Sequence, residues 1–408
     1  MAASESTHDR GGVRLRVAVV AYTEYPWDPR VRRESESLAR DGSTVHVISV
    51  RPRSGASPAH LGGVHVHEVP LVTRRGSRLR YAFQYAMFFF LSGALLMRLH
   101  LRQPFDIVHI HSLPDFQVFC ALPLRLAGIP VLLDLHEAMP EILSARFRIS
   151  TGAPLPRLAA VLEGLSCRFA NHVITANDGI RSAVISRGVP EGHVTSVYNG
   201  SDTPIEVPSR EELIREISLP DARLVVHAGG INRERDLETV FRAVSRLHDH
   251  RDVHIVLAGD GERGYLEELH RLVEDLGIHE RVHFVGRIPL AQAYGLMALS
   301  EVGLVSLEEN PLTELAWPVR ITEFAGLRKP LIVPRLRFIH SVLGNGAHYY
   351  TPGDPASLAQ ALEITLGRRA SDDPTVAVAQ RACSRFTWSQ MREVLLGIYQ
   401  RTEAAHAG

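Results

Sequence analysis

Residues 224–238 read LVVHAGGINRERDLE. An apolar, β-branched run from Leu224 to Ala228 meets two glycines, and a polar turn then leads into a helical stripe from Leu237 to Leu247. That order is strand, tight turn, helix, the repeating unit of a parallel sheet covered by helices on both faces. Toward the C-terminus the unit recurs. Strands are expected at Val253 to Ala258, Val282 to Val285, Val302 to Val305 and Leu331 to Val333, with helices over Tyr265 to Leu276, Ala291 to Leu299 and Val319 to Leu327.

The same alternation fills the N-terminal side. Strands are expected at Leu15 to Ala21, Thr44 to Val50, Asp106 to Ile110, Val131 to Leu135, Val173 to Thr175 and Val194 to Val197, and helices over Pro29 to Arg40 and Asp115 to Ala127. Between the two runs, Tyr198 to Pro208 (YNGSDTPIEVP) breaks into turn residues, which marks a domain boundary. The organisation read from this is a flexible tail over 1–14, a Rossmann-like α/β domain over 15–203, a second over 204–385, and a closing segment over 386–408. Two doubly wound halves in series are expected to face one another across a cleft at their strand ends, where open α/β sheets bind ligands.

The composition excludes several function classes. In 408 residues, 45 Lys plus Arg balance 45 Asp plus Glu, so the basic surplus that displaces counterions from nucleic acid is missing. Cys120, Cys167 and Cys383 stand far apart in no metal-ligand spacing, which argues against a disulfide framework or structural zinc and for a reducing cytoplasm. Residues 1–14 are polar with no apolar stretch behind them, unlike a signal peptide.

One segment departs from this plain soluble character. Tyr81 to Met97 (YAFQYAMFFFLSGALLM) carries no charge and follows Arg74, Arg75, Arg78 and Arg80. At about 17 residues it is shorter than a usual span. It reads as a buried or half-buried helix, or as a stretch over residues 74–98 that rests on a membrane surface with its arginines toward anionic lipid.

Chemistry-bearing residues gather at the expected strand ends. Gly229 and Gly230 let backbone N–H groups approach an anion at a helix N-terminus, with Arg233 and Arg235 placed to clamp a diphosphate. Gly259-Asp260-Gly261 and Gly286-Arg287-Ile288 put two more pliant turns on the same rim, although each also serves as an ordinary βα turn. In TELAWPVRITEFAGLRKP (residues 313–330), Pro318 opens a helix, N–H groups near Leu315 to Trp317 face a possible phosphate, and Arg320 and Glu323 share one face at i and i+3. The first strand leads into AYTEYPWDPR (21–30) with no G-x-G-x-x-G there, and no P-loop lysine occurs, which sets aside dinucleotide dehydrogenases and P-loop kinases.

In the first half, His109 and His111 flank Ile110 at a strand end, and His136-Glu137 end the next strand. Alternation puts His109 and His111 on one side of their strand, but an H-x-H pair without a third ligand is a poor metal site, and no metal is expected. A histidine at such an edge can donate to a sugar hydroxyl or a leaving phosphate.

Taken in order, DPRVRRE (28–34), DIVHIHSLPDF (106–116), DLHE (134–137), VYNGSD (197–202), HAGGINRERDLE, LAGDGE, VHFVGRIP and WPVRITEFAGLRKPLIV make the chain resemble the family-4 retaining, nucleotide-sugar-dependent glycosyltransferases of the GT-B fold. The resemblance implies an acceptor-binding N-terminal domain, a nucleotide-sugar-binding C-terminal domain, and a last helix crossing back to the first. It also implies that Glu323 holds the donor ribose, Arg235 contacts the diphosphate with Arg233 beside it, His136 stands near the transferred sugar, and Gly286 to Ile288 present backbone to the base. Catalytic roles would fall to His136, Glu323, Arg235 and Arg320, and donor contacts to Gly229, Gly230, Arg233, Gly261, Gly286, Arg287, Ile288, Glu314, Leu315 and Ala316.

Two departures from the family pattern stand out. Arg320 occupies the place of a lysine, keeping charge but changing geometry, and Leu315 occupies the place of an acid, with Glu314 one position earlier. The implied reaction moves a glycosyl group from a nucleotide-sugar, UDP-linked before GDP-linked, to a hydroxyl on a lipid-linked, polysaccharide or small-molecule acceptor. Arginines and backbone amides rather than a metal would stabilise the leaving nucleotide, with domain closure excluding water. A GT-B nucleotide-sugar epimerase and a non-catalytic glycosyltransferase-like partner subunit are the alternatives.

Overall fold

The computed structural model describes residues 14–53, 55–73, 78–200, 207–217, 219 and 222–407. Nearly all of the expected tail, Arg74, Arg75, and the expected boundary at 203 and 204 lie outside them. The chain divides into two compact units, one of Met1–Asn199 with Met391–Gly408 and one of Gly200–Gln390.

The first unit is built on strands β1 (Arg16–Ala21), β2 (Thr44–Val50), β3 (His60–Leu61), β4 (Val64–Val69), β5 (Ile107–His111), β6 (Val131–Leu135), β7 (His172–Thr175) and β8 (Val194–Ser196), in spatial order β3-β4-β2-β1-β5-β6-β7-β8. Only β3 runs antiparallel to its neighbour. Val17 to Ala21 and Ile107 to His111 are buried on both faces, as parallel strands covered by two helical layers must be. The order reverses between β1 and β5, and there the register sets Ala21 beside His111 and His111 beside Asp134.

Among the described residues, six helices follow these strands: α1 (Pro29–Arg40), α2 (Arg78–Arg102), α3 (Leu122–Leu126), α4 (Met139–Phe147), α5 (Pro154–Phe169) and α6 (Asp178–Ser186). α1 starts where its sequence directs: Pro29 occupies the first turn and the Asp28 carboxylate accepts from the N–H groups of Arg30 and Val31 at 3.0 and 3.1 Å. Connections from β1 to β2 and from β4 onward travel in opposite directions along the sheet, so right-handed crossovers put α1 on one face and α2 to α6 on the other. The uncharged stretch from Tyr81 to Met97 lies inside α2, with Phe88 and Leu96 fully buried. β4, missed by the sequence reading, alternates buried Val64 and Val66 with His65 and His67, a half-polar pattern unlike its all-apolar neighbours.

The second unit carries α7 (Arg210–Ile217), β9 (Arg223–Ala228), α8 (Leu237–Val244), β10 (Val253–Ala258), α9 (Arg263–Asp275), β11 (Val282–Gly286), α10 (Leu290–Leu299), β12 (Ser300–Leu304), α11 (Val319–Gly326), β13 (Leu331–Pro334), α12 (Arg337–Leu343), β14 (His348–Tyr350), α13 (Pro355–Leu366) and α14 (Pro374–Cys383). Its strands are parallel in the order β11-β10-β9-β12-β13-β14. This is the doubly wound order 3-2-1-4-5-6, with its reversal between β9 and β12. Val225, Phe241, Leu257 and Leu269 centre its core. The final helix, α15 (Trp388–Ala407), belongs to the first unit from Met391 onward. There Arg392 pairs with Asp41 at 3.0 Å and Tyr399 meets His109 at 2.7 Å.

Candidate active site

In the second unit the chemistry collects at the β9–β12 reversal. Gly229 leaves β9 at φ +152°, and a side chain on it or on Gly230 would point into open space, so this backbone is accessible to a ligand. The turn that follows, Arg233–Arg235, is fastened from the β12 side: Ser306 Oγ donates to the Arg235 carbonyl at 2.5 Å and the Glu308 N–H to the Glu234 carbonyl at 3.0 Å. Burial, and next the charge of Arg235, hold the His227 imidazole down to about 4, so it is neutral near pH 7.

Arg320 and Glu323 share one face of α11, as their spacing requires. Arg320 Nη1 meets Glu323 Oε2 at 2.5 Å, while Arg320 Nε donates to the Ala228 carbonyl at 2.5 Å, the last residue of β9. Tyr294 on α10 donates to the other carboxylate oxygen of Glu323 at 2.6 Å. The carboxylate is therefore nearly buried, oriented from two sides, and tied to the strand end that carries the open glycines.

Several expected donor contacts are otherwise engaged. Arg233 pairs with Glu268 at 2.6 Å and lies over the Tyr265 ring at 4.8 Å. Glu314 accepts from the Arg337 N–H and Nε at 3.1 and 2.8 Å. The N–H groups of Leu315 and Ala316 close a tight turn onto Leu312 and Thr313 at 3.1 Å each, so they face the chain rather than a phosphate. A Cβ on Gly261 would stand 2.4 Å from the Ile231 carbonyl, which gives that glycine a packing reason. Gly286 has φ +70°, Arg287 follows it, and Ile288 helps line a cavity of about 550 Å³ with His270, Phe284 and Gln292.

The first unit holds a second constellation at its own reversal. Arg30 binds Asp134 in a fork, Nε to Oδ2 at 2.7 Å and Nη2 to Oδ1 at 2.8 Å, and reaches the Val197 carbonyl at 2.8 Å and Asn199 Oδ1 at 3.0 Å. Burial alone would raise Asp134; Arg30, then His136, hold its carboxyl well below the usual range. His111 Nδ1 lies 3.1 Å from Asp134 Oδ2 and 2.9 Å from His136 Nε2. His136 thus sits at the end of a chain of polar contacts and lines a pocket of about 440 Å³ with Tyr22, Asp28, Tyr85, His111 and Asn199.

Glu34, His109, His111 and Asp134 bring one ligand-capable atom each within 4.8 Å of one another, all buried. Arg30, 3.1 Å from Glu34 and forked on Asp134, already supplies positive charge there, and burial pushes Glu34 up to about 8. The sequence reading singled out His136 and Glu323, which the structure sets in these two clusters. It did not single out Tyr294, which has no local signal, and it quoted Arg30 and Asp134 within motifs without giving them a part.

Residues 12–200 match the glycosyl transferase 4-like domain and residues 209–372 match the glycosyl transferases group 1 domain. The chain belongs to the GT4-like glycosyltransferases. This glycosyltransferase is 23% identical over 414 residues to a glycosyltransferase of Methanocaldococcus jannaschii, covering 95% of this chain and 98% of that one. It has the GT-B fold. Among solved structures it is similar to sucrose-phosphate synthase from Thermosynechococcus elongatus (TM-score 0.76, 17% identity, 96% of this chain and 100% of that one). It is also similar to Anabaena HepE in complex with UDP-glucose (TM-score 0.70, 18% identity, 95% and 100%).

Proposed function

We propose that this glycosyltransferase transfers a hexosyl or N-acetylhexosaminyl group from a UDP-sugar, with a GDP-sugar next in order, to an acceptor hydroxyl with retention at the anomeric carbon. The observation that carries the reading is the buried Glu323 carboxylate, oriented by Arg320 and Tyr294. A carboxylate so placed suits the two hydroxyls of a ribose. The open backbone at Gly229 and Gly230, beside Arg235, suits the diphosphate. Similar structures with UDP and UDP-glucose bound support the nucleotide.

In this reading Arg235 and backbone N–H groups stabilise the charge that grows on the departing nucleotide, without a metal. Arg320 acts through Glu323 and the β9 end rather than on phosphate. His136 hydrogen-bonds the transferred sugar, its ring held by His111 and Asp134. The acceptor is a hydroxyl of a lipid-linked carrier, a polysaccharide or a small molecule, handled in the reducing cytoplasm, where the three buried thiols stay reduced.

The test is calorimetric titration without added metal using UDP, GDP, dTDP and ADP, repeated on Glu323→Ala and Arg235→Ala. Tight binding of UDP, lost in both variants while thermal unfolding stays cooperative, is the expected result. No binding by any of the four, or full activity in both variants, overturns it.

A further inference from the structure

The helices on one face of the first unit's sheet leave a band of apolar side chains in solvent. On α5, Leu155, Leu158, Val161, Leu162 and Leu165 are 39–58% exposed at helical spacing, while Ala159, Glu163, Ser166 and Cys167 turn inward. On α2, Phe83 (63%) and Phe90 (69%) face outward from a helix whose Phe88 and Leu96 are fully buried, and on α3 Leu126 is 79% exposed. The turn at Asp115–Ala121 joins these helices into one layer. Its Phe116 ring lies 6.2 Å from Phe89 of α2, and its Phe119 ring 5.1 Å from Phe169 of α5. Isolated exposed leucines are normal, but a band running across neighbouring helices marks a surface that is covered in use.

The charge of this face identifies what covers it. Residues 69–105 contain no Asp or Glu. Across α2, α3 and α5 the one carboxylate is Glu163, buried and paired with Arg187 at 2.9 Å. Around the apolar band, Arg80, Arg98, Arg102, Arg157 and Arg168 are exposed. A chain with balanced total charge has thus placed exposed cations and no exposed acids on α2, α3 and α5, beside their exposed apolar side chains. A second copy docking by two-fold symmetry would bring two faces together that carry arginines and no exposed acid to pair them, whereas an anionic bilayer accepts both the arginines and the apolar side chains.

We propose that the outer face of α2, α3 and α5 docks on the surface of an anionic lipid bilayer, with the leucines and phenylalanines at the acyl boundary and the arginines among the headgroups. α2 is long and apolar enough to span a membrane by length and composition. However, its Phe88–Leu96 side is packed into the first unit, so it lies in the interface. The proposal concerns a face of the first unit and does not depend on nucleotide binding by the second, so either can fail alone.

The test is co-sedimentation of the full chain with phosphatidylcholine vesicles, with and without about a third phosphatidylglycerol. Expected is binding to the phosphatidylglycerol vesicles about tenfold or more above phosphatidylcholine alone, largely lost at about 0.5 M salt. Leu158→Glu/Leu165→Glu should lower binding about tenfold and Arg157→Gln/Arg168→Gln several-fold, since the two pairs supply the apolar and electrostatic parts. All four positions are exposed, so melting followed by circular dichroism should match the parent, and UDP titration should be unchanged. Absence of binding, equal binding to both vesicles, or binding unaffected by the leucine pair overturns the proposal. Dimerisation in light scattering that Leu158→Glu/Leu165→Glu abolishes, with no vesicle binding, gives the face to a second copy and overturns it as well.

Discussion

Arg30 and Asp134, 104 positions apart in sequence, meet as a fully buried fork with both oxygens of the carboxylate engaged. Breaking such a pair from one side leaves a buried charge without its counter-charge. Asp134→Asn is therefore expected to cost about 3–5 kcal/mol of unfolding free energy, measured in urea, and the double replacement Arg30→Met/Asp134→Leu to cost clearly less. A double loss equal to the sum of the Arg30→Met and Asp134→Leu losses would show that the fork itself carries no coupling.

Glu323 depends on Tyr294 for one of its oxygens. If the carboxylate holds a ribose, Tyr294→Phe should weaken UDP binding by about 1 kcal/mol, roughly fivefold in Kd, because the hydrogen bond that aims the carboxylate is gone. Arg320→Ala should act more broadly. It removes a donor to the Ala228 carbonyl as well as the partner of Glu323, so both nucleotide affinity and Tm should fall.

Asp115 supplies a pH dependence. It is buried, and burial pushes its carboxyl up to about 7 despite Arg187 and a hydrogen bond from Ser112. The folded state therefore holds this proton more tightly than the unfolded chain does. Its favourable contribution is complete below the unfolded carboxyl range near pH 4 and is lost as pH rises through about 7. Asp115→Asn, which cannot ionise, should raise stability at pH 8 on the order of 2 kcal/mol relative to the parent, with the gain shrinking toward pH 5. Thermal melts at the two pH values decide it.

The glycine at the β10 end can be tested against a control in the helix that follows it. A Cβ on Gly259 would lie 1.7 Å from the Gly229 carbonyl oxygen, whereas one on Gly264, in the first turn of α9, meets nothing within 4 Å. Gly259→Ala should destabilise the second unit by more than about 4 kcal/mol or prevent soluble expression. Gly264→Ala should be neutral or stabilising by about 0.4–1 kcal/mol.

The fold was legible because its local signals agree. Thr44–Val50, Val131–Leu135 and Pro29–Arg40 match their expected limits, since short buried runs rich in Val, Leu and Ile and an Asp-Pro cap each point to one conformation. The pairing of Arg320 with Glu323 followed from helical spacing alone. What stayed hidden was set by register and reach. His111 lies beside Asp134 because β5 and β6 pair with that offset. Tyr294 finds Glu323 across 29 residues, and Arg233 turns to Glu268 across 35. No window of sequence contains both partners.

The return of residues 391–407 to the unit begun by residues 14–199 has a consequence for how the chain is made. The second unit is a contiguous segment and can complete its sheet as soon as it has emerged from the ribosome. The first unit cannot: His109 lacks Tyr399, and Asp41 lacks Arg392, until the last helix is released. The unit begun first is thus completed only after the second has been made. A fragment ending after residue 390 would hold the whole second unit and an N-terminal sheet whose His109 lacks its Tyr399 partner.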